Sequence, residues 1–112
     1  MLKIARRMIR LLGITLFVTA FAFPQSNNAS IDGAVTDPNG AVVPGAKVVL
    51  TSMDTKQSSS FVSDADGLYS FRNVVPGTYQ LSVTAQGFGE YVQEGILVRV
   101  GYPIRQNIQL KL

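Results

Sequence analysis

The sequence contains no cysteine, no histidine and no tryptophan. Without cysteine there is no disulfide and no thiolate nucleophile, so any fold rests on the apolar core alone. Without histidine the usual general base of neutral-pH chemistry is missing, together with the commonest transition-metal ligand. Ser-His and Cys-His nucleophile pairs are therefore excluded. The serines cluster in one low-complexity stretch with no activating partner, and the carboxylates fall in turns with no desolvated pair among them. No catalytic, cofactor-binding or metal-ligating residue is predicted, and the chain is not expected to be an enzyme. Helical periodicity is absent too: beyond residue 23 no run of ten or more residues repeats at 3.6.

Acidic residues are missing from everything before Asp32. That first part instead carries Lys3, Arg6, Arg7 and Arg10, followed by the uncharged run Leu11–Phe23. A bilayer-spanning helix needs about 20 apolar residues, and this run is too short. It suits the apolar core of a helical signal peptide, with Ala20-Phe21-Ala22 as the small-x-small cleavage pattern. Residues 1–22 are therefore predicted to be a signal peptide, the alternative being an uncleaved anchor. Arg6-Arg7 is read as part of its basic head rather than as a twin-arginine signal. Membrane contact is expected only through this segment.

Removing it changes the charge. The whole chain has 10 basic and 7 acidic residues, net +3. Four of the basic residues lie in the leader, which leaves six against seven, a net charge of −1. The basic isoelectric point is thus an export feature, and nucleic acid is not an expected partner. Residues 23–29 form a polar linker, where Asn28-Ala29-Ser30 matches a glycosylation acceptor only by coincidence.

From residue 30 to 112 the period is two. Ile31, Gly33 and Val35 share one strand face, and Asp37-Pro38-Asn39-Gly40 has the composition of a type I turn. After Val43-Pro44-Gly45, Ala46, Val48 and Leu50 line a second strand. A serine-rich strand, Ser58–Ser63, reads as an edge, and Asp64-Ala65-Asp66-Gly67 is expected to close that hairpin. Tyr69 and Phe71 then alternate with Ser70 and Arg72, Tyr79, Leu81 and Val83 with Gln80 and Ser82, and Ile96, Val98 and Val100 make a further strand. The last strand has Tyr102, Ile104, Ile108, Leu110 and Leu112 at even positions, interrupted only by Gln106. Val75-Pro76-Gly77 reads as a type II turn; because such turns splay tight hairpins, it is expected to carry the chain between sheets. Seven short strands with a turn about every ten residues predict an all-β, antiparallel β-sandwich of Greek-key, Ig-like type.

Five motifs in order make the sequence recognisable. They are G-x-V-x-D (Gly33–Asp37), P-G-A-x-V (Pro44–Val48), D-x-x-G-x-Y-x-F (Asp64–Phe71), P-G-x-Y-x-L-x-V (Pro76–Val83) and G-F (Gly87-Phe88). Together they resemble the carboxypeptidase regulatory-like domain, over residues 30–112. The resemblance implies a transthyretin-like, carbohydrate-binding-like seven-stranded sandwich with no peptidase activity of its own. It also implies the setting of such domains ahead of the plug and barrel of TonB-dependent outer-membrane receptors. The expected location is then the periplasm or outer membrane of a Gram-negative bacterium, and no receptor barrel follows Leu112 in this chain.

Two sets of residues are candidate sites. Asp64 and Asp66, with Asp32 and Asp37, offer oxygen ligands for calcium, but the further ligands of a calcium loop are missing, and a turn in which Asp caps backbone N–H groups is the preferred reading of the same residues. Among the aromatics, Tyr69, Phe71 and Tyr79 fall on apolar faces, and Phe88 is implied by the resemblance to pack onto the sandwich. Tyr91 and Tyr102 remain as candidate ligand contacts, with carbohydrate as the ligand. A protein partner is expected to add a strand at Ser58–Ser63 or at the final strand. The two functional readings are a structural or interaction module and a carbohydrate-binding module.

Overall fold

The computed structural model describes residues 28–112, so the expected leader and most of the linker lie outside the described residues. The strands are β1 (Ala29–Thr36), β2 (Lys47–Ser52), β3 (Ser58–Val62), β4 (Leu68–Val74), β5 (Gly77–Thr84), β6 (Tyr91–Val98), β7 (Ile104–Arg105) and β8 (Ile108–Gln109). They form two sheets, one ordered β4-β1-β7 with β8 also on β1, the other ordered β3-β2-β5-β6. The chain is a β-sandwich. Alternation puts Ile31 and Val35 of β1, Tyr69 and Phe71 of β4, and Ile108 and Leu110 at one wall of the core. Val48, Leu50, Leu81, Val83, Ile96 and Val98 form the other. Each such side chain contributes about 1.5–3 kcal/mol of burial, which is how the sandwich holds without disulfides.

The closing strand differs from its expectation. It is split into β7 and β8, and both run parallel to β1. The break falls at Gln106 and Asn107, where the Asn107 side chain replaces main chain in the ladder: its Oδ1 accepts from the Ala34 N–H at 3.1 Å. Main-chain bonds from Gln106 to Asp32 and from Leu110 to Thr36, both 2.8 Å, hold the segment on either side. Ile108 and Leu110 are buried as the alternation requires, whereas Tyr102 and Leu112 are exposed. Among the described residues the strands thus number eight rather than seven, and not all pairs are antiparallel. The cause is the crossover from β6, which delivers the chain to the other sheet already pointing along β1.

β6 begins at Tyr91 and ends at Val98, and Val100 is exposed. A bulge interrupts its pairing with β5 between Tyr79 and Leu81, and Gly95 on the bulged strand takes φ +73°. The inward parity therefore switches from Tyr91 and Gln93 to Ile96 and Val98. Phe88 packs partly buried against the core.

Both connections around β4 cross between sheets. Asp64–Gly67 leads from β3 in one sheet to β4 in the other, so it does not close a hairpin. Val75–Gly77 makes the second crossing, as the sequence predicts. It is a bend rather than a type II turn, because Gly77 already belongs to β5 with φ 157° instead of the φ of about +80° that such a turn needs.

Candidate functional site

Two of the aspartates weighed as calcium ligands, Asp64 and Asp37, are engaged with their own backbones. Asp64 Oδ1 accepts from the N–H groups of Asp66 and Leu68 at 2.9 and 3.0 Å. Asp37 Oδ1 accepts from Asn39 and Ala41 at 2.8 and 2.9 Å. These are Asx turns, in which one carboxylate oxygen organises a tight loop. Among the described residues no three His, Cys, Asp or Glu side chains gather at one point. Asp32 lies instead on the solvent face of β1, 3.5 Å from Arg105 of β7, with both side chains more than half exposed.

The more open feature is the side of the sandwich between β3 and β4. Each is the outermost strand of its sheet, and no ladder joins them. Phe61 of β3 meets Phe71 of β4 edge-on, ring centroids 6.2 Å apart. Beside this contact runs a groove of about 400 Å³ whose lining includes Leu50, Gln57, Ser59, Phe71, Arg72 and Tyr79. A second hollow, of about 430 Å³, is bordered by Phe61, Asp64, Ser70, Asp32 and Arg105.

The β3 edge has a definite chemistry. Bonds from Ser52 N–H to Gln57 O and from Ser63 N–H to Ala46 O, 2.8 and 2.9 Å, bracket the strand. Alternation within an antiparallel ladder then turns Ser59 and Phe61 toward β2 and leaves the main-chain N–H and C=O of Ser58, Ser60 and Val62 facing outward. Ser63 fixes the end of the strand: its buried hydroxyl donates to Val43 O at 2.7 Å and accepts from the Ala46 N–H at 2.8 Å.

The structure does not bring Tyr91 and Tyr102 together. Tyr91 starts β6, is half-buried, and donates to Gln93 Oε1 at 2.6 Å; Gln106 Nε2 donates to that same oxygen at 2.8 Å. Tyr102 follows the far end of β6, about 20 Å of strand away. It is 70% exposed and borders a hollow with Ser30, Arg72, Asn73 and Pro103. Tyr69 and Tyr79 are buried, as their apolar faces predict. Tyr69 donates to Gln106 O, and burial, reinforced by the charge of Asp32 and by Tyr91, pushes its hydroxyl well above the ordinary phenol range. Tyr79 donates to Val75 O at 2.6 Å and is raised in the same direction, by burial and then by Asp54. Sequence reasoning did not single out Arg72, Gln57 or Ser59. Their only signal is a polar position on a strand, which gains meaning once β3 and β4 are known to be facing edges.

The sequence model of the carboxypeptidase regulatory-like domain family matches residues 30–111. The chain is 35% identical over 85 residues to a probable rhamnogalacturonate lyase B of Aspergillus terreus, a match covering 68% of this chain and 13% of that protein. It is 34% identical over 91 residues to the TonB-dependent transporter Oar of Myxococcus xanthus, covering 80% of this chain and 8% of the transporter. The match therefore spans a small part of either relative. In fold, the chain is similar to a Bacteroides uniformis protein solved as a candidate carbohydrate binding protein. There the TM-score is 0.62 at 19% identity, covering 74% of this chain and 41% of that one.

Proposed function

Because the chain belongs to the carboxypeptidase regulatory-like domain family, we propose that it serves as a non-catalytic interaction module of the bacterial envelope. In this reading the leader exports it, and the sandwich acts in the periplasm or at the outer membrane. It is either the N-terminal accessory domain of a TonB-dependent receptor or a free-standing relative, contacting partners by strand addition or through a receptor barrel. The observation that carries the reading is the relationship to the Myxococcus xanthus transporter, which extends over 80% of this chain. The test is to fractionate cells of the source organism and probe with an antibody against residues 30–112. A large outer-membrane species is expected if the domain heads a receptor, and a small soluble periplasmic one if it stands free. Recovery of the protein only in the cytoplasm would refute the proposal.

A second reading, carbohydrate binding, draws on the relationship to the rhamnogalacturonate lyase and on the exposed Tyr102 ring beside Arg72. An aromatic face with a charged hydrogen-bond donor next to it suits a sugar ring. Tyr91 adds nothing to that surface, being held at the other end of β6. A glycan screen with the purified chain decides: this reading expects saturable binding that Tyr102→Ala abolishes, and binding that survives the substitution removes Tyr102 from the site.

A further inference from the structure

We propose that β3 is a self-association edge, on which a second copy of this chain pairs its own β3 antiparallel about Ser60. The two β3-β2-β5-β6 sheets would then become one continuous sheet. This rests on the reading of the domain as an interaction module and specifies the surface and its occupant.

The first argument is the edge itself. Natural sheets protect exposed edges with charge, proline, bulges or very short strands. Three of the four edges here are protected in this way. β6 carries Glu94 and the Gly95 bulge. β4 carries Arg72 and, at Asn73, φ +57°, beside a register shift against β1. β7 and β8 are two residues each. β3, Ser-Ser-Ser-Phe-Val, has no charge, no proline and an unbroken register with β2.

The second argument is self-complementarity. The outward N–H and C=O groups of Ser58, Ser60 and Val62 are symmetric about Ser60. An antiparallel pair centred there sets Ser60 against Ser60 and Ser58 against Val62 twice, giving about six main-chain hydrogen bonds. Val62, 60% exposed, is partly covered by the second copy's Ser58. The small serines let the strands approach with no bulky side chain in the way.

The third argument is charge. The strand Ser58–Val62 is neutral, so no like charges oppose one another across the two-fold axis, and the nearest charged residues, Lys56 with φ +64° and Asp64, lie in the flanking turns.

Sedimentation velocity of the purified chain across about 1 to 200 µM tests this, since a dimer must follow mass action. The expected result is a dimer fraction that rises with concentration, with the amides of Ser58, Ser60 and Val62 gaining hydrogen-exchange protection in step. Ser60→Pro deletes an N–H that points away from β2, so the β2–β3 ladder survives while the dimer is lost. Ser60→Lys sets two ammonium groups across the two-fold axis and weakens association several-fold, with partial recovery in high salt. An unchanged far-ultraviolet circular dichroism spectrum ties each loss to the edge. A monomer at every concentration, or a dimer that Ser60→Pro and Ser60→Lys leave intact, would overturn the proposal. A foreign strand as occupant would give the first of these results. Neither outcome alters where the protein fractionates, so the envelope reading stands or falls separately.

Discussion

At the scale of single residues, Gly33 shows why the first strand carries a glycine on its inward face. A Cβ built there would lie 2.0 Å from the Gln106 carbonyl oxygen and 2.9 Å from the Tyr69 hydroxyl. The Gln106 carbonyl of the closing segment presses against β1 at this point, and Tyr69 donates to that same carbonyl. The position therefore needs the absence of a side chain, not a special backbone angle. Gly33→Ala is expected to cost about 2–3 kcal/mol, because the carbonyl is main chain and cannot swing aside without pulling the Gln106–Leu110 segment off β1. Urea unfolding reads the loss, and hydrogen exchange should show the Gln106 and Leu110 amides opening first. A midpoint equal to the parent's would overturn this role for Gly33.

At the scale of elements, local alternation was a good guide wherever one face of a strand meets the core without interruption. Ile31, Gly33 and Val35 of β1, Tyr69 and Phe71 of β4, and Tyr79, Leu81 and Val83 of β5 all face inward as their spacing says. The Ser58–Ser63 stretch is legible as an edge because it has almost nothing to bury. Alternation failed where partner geometry intervenes. In β6 the bulge at Gly95 changes which parity points inward, so the apolar residues before and after it do not add up to one pattern. In the closing strand Ile104, Ile108 and Leu110 keep their parity, but their spacing carries no information about the direction of the neighbour, and the parallel pairing with β1 was invisible. The Asp64–Gly67 turn illustrates the same gap. Its residues announce an Asx turn with Gly67 at φ +74°, yet only the sheet assignments of β3 and β4 show that it crosses the sandwich. The candidate site was less legible than the fold for this reason. A groove between two edges is made of residues far apart in sequence, while Tyr91 and Tyr102, close in sequence, end up at opposite ends of one strand.

At the scale of the whole molecule, stability without disulfides depends on one core shared by both sheets, and buried tyrosine hydroxyls tie it to pH. Tyr69 and Tyr79 both have hydroxyl pKa values raised above the ordinary value of 10.0, chiefly by burial. Below about pH 10 the folded and unfolded chains both keep these protons, and the hydroxyls contribute no pH dependence. Above it the unfolded chain releases protons that the native state retains. The native state then binds more protons, so stability falls as pH rises, by up to about 1.4 kcal/mol per pH unit for Tyr69, with Tyr79 acting in the same direction. The urea midpoint should accordingly decline between about pH 9.5 and 11. Tyr69→Phe separates this effect from the titration of the lysines. The variant loses the bond to Gln106 and is less stable at neutral pH, by about 1–2 kcal/mol, yet it has one fewer proton to lose. Its alkaline slope should be shallower than the parent's by up to one proton's worth. Equal slopes in the two proteins would show that the Tyr69 hydroxyl titrates as freely in the native state as in the unfolded chain, and that the tie between β4 and the closing segment does not hold it.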